Sequence, residues 1–468
     1  MTGASARLFH TQVVREEAGS RTAADLPFAT TTQADDVEGG GVERSRGSYK
    51  CRDDAYLVGD RVYNKQYAHL YFQRLQNLSP LVLDKVKAKW PTVPVRKILE
   101  VELGVECAVV GTVYKNMKLK PSVLDEYAKD KSLETHLAST KFVSGDDTLV
   151  LEDEGARMNL GCKGDSLDPA DFVSGVCVAV RGTEEEGGNF VVKEVCLPGP
   201  ARQEPVVPDS EAKYVALVSG LGLGDEKRDP LPLQLLADYV TGALGDYDGL
   251  AGKITRMVVV GNTLKEVGQV PMGEDKREAS RGVGGLREAD MFLTQIASSM
   301  PVDVMPGPTD PCNVSMPQQP LHRCLLPSTT CYSNVGRVTN PHGFEVDGVS
   351  FLGTSGQNID DVMKYVAHED RLGAMAATLE WCHSAPTAPD TLPCFPFVDQ
   401  DPFVLKDCPH VYFAGNQPSL ETGIAEGKEG QRVRLISLPS FAEKQTCVLV
   451  NLRDLSCHPI VFGSNLDQ

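Results

Sequence analysis

No apolar run in this sequence approaches the roughly 20 residues that a membrane-spanning helix needs, so no membrane role is expected. The N-terminus lacks the apolar core of a signal peptide, and export is not expected either. Basic excess is missing too, the formal net charge being -18. Phosphate neutralisation needs clustered Lys and Arg, so the surface as a whole does not read as a nucleic-acid clamp. The 13 cysteines, scattered from Cys51 to Cys457, include no C-x-x-C pair and fit neither a disulfide framework nor a zinc ribbon. Several (Cys107, Cys177, Cys447) sit in apolar, strand-like runs and read as buried reduced thiols of an intracellular protein. Metal binding by Cys324 and Cys331 with His322 is the weaker alternative. Among nine histidines there is no H-x-x-x-H pair, and the absence of G-x-x-x-x-G-K-[ST] excludes a P-loop.

What is present is an ordinary globular composition, 41% hydrophobic and 24% charged, over 468 residues that suit two or three domains. Residues 1–55 read as a disordered N-terminal tail, with Thr30-Thr31-Thr32 and Gly39-Gly40-Gly41 among charges and few large apolar side chains. Order is expected to begin near Tyr63. Tyr67, Leu70, Tyr71, Leu75 and Leu78 recur at helical spacing, and Pro80 is expected to break or restart that helix.

From about residue 105 the period changes. Residues 107–114 read as a buried strand, and 148–154 with 157–160, then 176–182 with 189–195, read as hairpins. Together with one helix-like insertion at 122–129, these five strands suit a small Greek-key barrel of the OB type. Its strands are poor in aromatics and its hairpins acidic, as in Glu184-Glu185-Glu186. A protein-binding or structural barrel therefore fits better than a single-strand binder. The domain reading is a helical lead-in and OB-type barrel over 56–202, then a second domain over 203–468.

Residues 203–209, with Pro205 and Pro208, read as the linker. Beyond it strand and helix alternate: strand 214–218, helix 231–244, strand 254–260, a polar, mobile loop 265–285, helix 286–300 and strand 302–305. This is the pattern of a layered α/β sheet, which places its sites at strand C-termini. A long helical segment is expected from Asn358 towards Trp381, and strands at 433–438, 446–452 and 457–462 are expected to close a second sheet or offer an edge.

The first of these strands ends in Ser219-Gly220-Leu221-Gly222-Leu223-Gly224. Its third glycine comes one position too early for G-x-G-x-x-G, and Ser219 lacks the leading glycine of a G-x-S-x-G elbow. The next strand ends in Val260-Gly261-Asn262, and later ones in Pro306-Gly307-Pro308-Thr309-Asp310 and Ala414-Gly415-Asn416-Gln417. This series resembles the strand-end loops of calcineurin-like phosphodiesterases, which carry Asp-x-His, Gly-Asp, Gly-Asn-His-Asp and Gly-His-x-His. A binuclear centre needs a carboxylate to bridge two cations. Against that pattern Gly220 and Gly222 offer no side chain, and Asn262 stands where the bridging carboxylate belongs. Pro308 and Thr309 replace Asn and His, Asp310 is kept, and Asn416 and Pro418 replace both final histidines. His383 is expected to keep one ligand-like position. All of these are read as degenerate phosphodiesterase positions, with no catalytic residue, no metal ligand and no cofactor assigned.

Longer strings carry a closer resemblance. Val302-Asp303-Val304-Met305-Pro306-Gly307-Pro308-Thr309-Asp310-Pro311, Pro317-Gln318-Gln319-Pro320-Leu321-His322 and Thr339-Asn340-Pro341 resemble the B-subunit family of DNA polymerase delta. So do residues 346–358, residues 386–392, His410-Val411-Tyr412-Phe413-Ala414-Gly415-Asn416 and Gln66-Tyr67-Ala68-His69. The likeness runs from about residue 55 to the C-terminus. It implies an OB-type β-barrel domain packed on a calcineurin-like layered α/β domain that is catalytically inactive. The implied role is an accessory scaffold, bridging the catalytic subunit's C-terminal cysteine-rich domain and the third, PCNA-binding subunit in the nucleus. The polymerase zeta catalytic subunit is the implied second partner, with DNA contacted only indirectly. The alternative is a residual Mn-dependent phosphodiesterase or nuclease, as in the small subunit of the archaeal D-family polymerase.

Overall fold

Strands whose side chains alternate between two apolar surroundings can be covered on both faces, and that alternation builds this molecule. The structure is a computed structural model describing residues 12–16, 21–22, 43–121, 141–162, 167–206, 211–244, 249–265 and 276–463. Strands β1 (Gln12–Glu16), β2 (Arg21–Thr22) and β3 (Tyr49–Cys51) precede helix α1 (Ala68–Lys89). A barrel follows: β4 (Val95–Arg96), β5 (Glu106–Asn116), β6 (Thr148–Glu152), β7 (Arg157–Cys162), β8 (Cys177–Glu185) and β9 (Asn189–Cys196). Its order is β4-β5-β6-β7-β9-β8, and antiparallel pairing of β5 with β8 closes it.

The rest alternates. β10 (Tyr214–Val218), α2 (Leu231–Thr241), β11 (Ile254–Val260), α3 (Lys276–Ala297), β12 (Val302–Met305) and β13 (Val335–Arg337) come first. β14 (His342–Val346), β15 (Val349–Thr354), α4 (Gln357–Tyr365), α5 (Arg371–Glu380) and β16 (Val411–Gln417) follow. The described chain ends with β17 (Glu421–Glu426), β18 (Arg432–Pro439), α6 (Phe441–Lys444), β19 (Thr446–Asn451) and β20 (Cys457–Val461).

These strands form two mixed seven-stranded sheets, β1-β17-β18-β16-β15-β14-β3 and β13-β12-β11-β10-β19-β20-β2. Val215, Leu217, Val258 and Val260 point from the second sheet onto Phe344, Phe351, Phe413 and Ile436 of the first. Their neighbours Ala216, Val218, Met257 and Val259 point the other way, into a core with α2 and α3. The outer face of the first sheet (Leu352, Tyr412, Leu435) shares one continuous core with α4, α5, α1 and the barrel. Helix, sheet, sheet and helix thus lie in layers, with the barrel on the α4–α5 side.

Several expectations need correction. The segment expected to be a disordered tail holds three paired strands: β1 on β17, β2 on β20 and β3 on β14. Edge strands draw on the backbone of a distant partner, and no local composition reveals that. Pro80 neither breaks nor restarts α1. A mid-helix proline costs about 3 kcal/mol, but Leu70, Leu78, Val82 and Val86 on both sides of it are all buried. The expected polar loop is helical from Lys276. Its glycines permit close approach: a Cβ at Gly285 would lie 3.2 Å from the Gly224 Cα. Residues 266–275 and the insertion at 122–129 lie outside the described residues. The long helix towards Trp381 is two helices. Val366 leaves the first in extended conformation, and the Asp370 side chain caps the second by accepting from Gly373 N at 2.7 Å.

Candidate functional site

The C-terminal ends of β10, β11, β12, β15 and β16 converge at one end of the stacked sheets, and most of the expected positions meet there. Gly220 N donates to Gly261 O at 3.0 Å, Gly222 N to Asn262 O at 3.1 Å and Leu223 N to Thr263 O at 2.9 Å, so the first two loops run as a pair. Thr309 N donates to Asn262 Oδ1 at 3.2 Å. Asn416 Nδ2 reaches Val260 O, Ser355 O and Ser355 Oγ, while its backbone N–H donates to Ser219 Oγ at 3.1 Å. Asn262 and Asn416 both sit at positive φ, near 50° and 54°, a conformation asparagine tolerates better than most residues. The loops are tight against each other: a Cβ at Gly261 would lie 1.9 Å from Ser355 Oγ, and one at Gly307 2.3 Å from Asn262 N.

Asp310 is the anion at this junction, and its carboxylate is fully engaged. Oδ2 accepts from Gly307 N at 2.9 Å and Thr263 N at 3.2 Å, and Oδ1 accepts from Leu264 N at 2.9 Å. Burial raises its pKa to about 6, against the pull of these amides. The side chain thereby pins the β11 and β12 loops together. Among the expected positions gathered here the donors are one carboxylate, two carboxamides and a threonine hydroxyl. Pro308 is exposed on the same turn, and Pro418 is exposed one residue beyond β16.

His383 belongs elsewhere, contrary to its expected ligand-like place. Its Nδ1 accepts from Ala385 N at 3.2 Å, leaving Nε2 to donate to Asp401 Oδ2 at 2.9 Å. Burial, reinforced by the Arg74 charge, lowers its pKa to about 4. Arg74, fully buried on α1, is the centre of this second cluster. Its Nε donates to Asp401 Oδ2 at 2.8 Å, and its terminal nitrogens to Gly175 O, Pro386 O and Ala388 O at 3.2, 2.8 and 2.6 Å. Burial alone would raise the Asp401 carboxyl, but the facing His383 and Arg74 hold it well below the usual carboxylate range. One guanidinium thus joins the lead-in helix, the barrel and the layered sheets. Buried Lys115 of β5 adds a further tie, donating to Tyr365 O at 2.6 Å.

A third cluster anchors β3. Asp53 accepts from His342 Nδ1 at 2.8 Å, Gly343 N at 2.8 Å and Thr339 N at 3.3 Å. Asp303, which Arg256 meets at 2.7 Å, lies 3.7 Å from the other ring nitrogen. Burial opposes protonation of His342, but the Asp303 and Asp53 carboxylates facing its two ring nitrogens raise its pKa to about 9. Cys51, Asp53 and His342 bring ligand-type atoms within 4.8 Å. The Asp53 oxygens are already committed to the ring and two amides, so the arrangement reads as a latch. Sequence reasoning passed over Arg74 and Asp303, yet both carried a signal: a charge within an apolar stripe or an apolar strand.

Two family models match this chain. One, described as the OB-fold domain of the DNA polymerase delta subunit, matches residues 66–195. The other, for the B subunit of DNA polymerases alpha and epsilon, matches residues 215–422. An OB-fold barrel locked to such a layered unit defines a B-type subunit of a DNA polymerase. The chain is 43% identical over 431 residues to the DNA polymerase delta small subunit of Oryza sativa subsp. japonica, covering 91% of this chain and 100% of that one. To the DNA polymerase delta small subunit of Saccharomyces cerevisiae it is 33% identical, over 86% of this chain and 90% of the yeast protein. A more distant likeness, 26% over 247 residues, joins it to the DNA polymerase II small subunit of Methanothermobacter thermautotrophicus, over 51% of this chain and 50% of that one. The chain belongs to the DNA polymerase delta small-subunit family.

Proposed function

We propose that this chain is a non-catalytic scaffold subunit of DNA polymerase delta, built on a calcineurin-like phosphodiesterase unit that has lost its metal ligands. It bridges the cysteine-rich C-terminal domain of the catalytic subunit and the third, PCNA-binding subunit, and acts in DNA replication and repair in the nucleus. The polymerase zeta catalytic subunit is a second partner, and DNA is met only through the complex. The observation that carries this reading is Asp310, whose two oxygens accept three backbone amides. Neighbouring positions that would hold a cation pair carry Gly220, Gly222, Asn262, Thr309 and Asn416 instead. Two bridged cations need several anionic or imidazole ligands, and this donor set does not fit them.

The alternative is residual hydrolysis of the archaeal type, which has Asp310 and the distant archaeal likeness in its favour. Incubating the purified chain with Mn²⁺ and a 3′-labelled oligonucleotide tests between them. The scaffold reading expects no turnover above buffer, and no difference between the native chain and Asp310→Asn. Hydrolysis that Mn²⁺ supports and Asp310→Asn abolishes would overturn it.

A further inference from the structure

The segment between β4 and β5 has two apolar faces, and the described structure covers one of them. Ile98 and Val101 pack inward against the barrel core, and Val93 joins them. Val95, Leu99, Leu103 and Val105 point outward, with Leu99 78% and Leu103 60% exposed. The segment is held in place rather than loose. Ile98 N donates to Asp153 Oδ2 at 2.8 Å, Gly104 N donates to Glu184 O at 3.0 Å, and Leu103 bridges Glu184. The Leu99 side chain lies against the β6–β7 turn, 3.5 Å from where a Cβ on Gly155 would stand. An ordered apolar ridge therefore runs between two hairpin ends.

Both hairpin ends are acidic. Asp153 and Glu154 flank the ridge on one side, and Glu184, Glu185 and Glu186 on the other, with Glu100 on the segment itself. The segment's own cations are already answered, Arg96 by Glu102 at 2.6 Å and Lys97 by Glu154 at 3.4 Å. Fixed apolar side chains rimmed by one sign of charge suit a partner of the opposite sign. A nucleic-acid backbone would meet repulsion there.

We propose that this ridge, centred on Leu99 and Leu103, docks a basic, amphipathic segment of a partner polymerase subunit, whose apolar side chains cover the leucines while its Lys and Arg face the acidic hairpins. This rests on the scaffold reading and assigns it a surface on the barrel. The test uses the full chain co-expressed with the polymerase delta catalytic and PCNA-binding subunits. Hydrogen exchange at residues 95–105 is compared between the free chain and the purified complex. Two variants accompany it, Leu99→Ser with Leu103→Ser, and Glu184→Lys with Glu186→Lys. Leu99, Leu103 and Glu186 are exposed and Glu184 is half-buried, so the free variants should melt close to the native chain. The expected result is exchange protection at 95–105, with affinity about tenfold weaker in each variant. The charge-reversal loss should shrink at high salt. A native complex without protection at 95–105, and variants that bind like wild type, would overturn the proposal while leaving the scaffold reading standing. A dimeric free chain made monomeric by the serine pair would assign the ridge to a second copy and overturn it as well. Failure of the native chain to assemble at all would overturn both.

Discussion

Arg74 shows how much one side chain can hold. It is fully buried, it spans α1, the barrel and the loops around Pro386, and it faces Asp401. Replacing it by methionine would strand a buried carboxylate and three carbonyls. The expected loss is about 3–5 kcal/mol, read as a shift in the urea midpoint, and Asp401→Asn added to Arg74→Met should recover part of it. His342 gives a pH signature of definite sign. Its folded pKa, raised to about 9 from an ordinary 6.5, contributes stability that is fully present below pH 6.5 and is lost as pH rises through 9. Urea midpoints taken between pH 6.5 and 9 should fall for the native chain and stay flatter in His342→Gln. His383 works in the opposite sense. It is kept neutral in the fold to about pH 4, so its penalty appears as pH falls below 6.5. Neither histidine's partner could be read from the chain, because Asp53 and Asp401 lie far from them in sequence or across a turn.

The strands and helices divide into those whose signal is local and those whose signal is not. β10, β11 and β12 were legible because their bounds follow from short runs of Val, Ile, Leu and Met closed by Gly or Pro. The barrel hairpins were legible from their glycine turns. The proline-containing α1 and the glycine-bearing start of α3 were not, because packing overrides what those residues do in isolation. β1 was hidden for a different reason. Its value lies in its partners: it pairs with β17, and Glu16 meets the buried Arg434 at 2.7 Å. Deleting residues 1–22 should expose the β17 edge and leave that guanidinium without its carboxylate. A loss of about 1–3 kcal/mol is expected, with a lower melting temperature and more aggregation by light scattering. The loops that carry Gly220, Gly222, Asn262, Thr309 and Asp310 meet at one end of the sheets because each follows a strand recognisable from its own apolar run, and Asn416 joins them from the C-terminal end of β16. His383 was misplaced because a histidine near a Ser-Ala-Pro turn carries no information about which of two buried clusters it joins.

Across the whole molecule, charged and polar ties are spent on holding the barrel against the layered sheets. Arg74 and Lys115 both reach across that boundary from buried positions, and one apolar core runs through it. A pair of units tied in this way suits the scaffold role proposed for the chain. The strand-end loops point the same way, since their side chains bind one another and the backbone. The most direct test is co-expression with the cysteine-rich C-terminal domain of the polymerase delta catalytic subunit, followed by size exclusion with light scattering. A stoichiometric one-to-one complex is predicted. A chain that elutes alone as a stable monomer beside that domain would contradict the scaffold account.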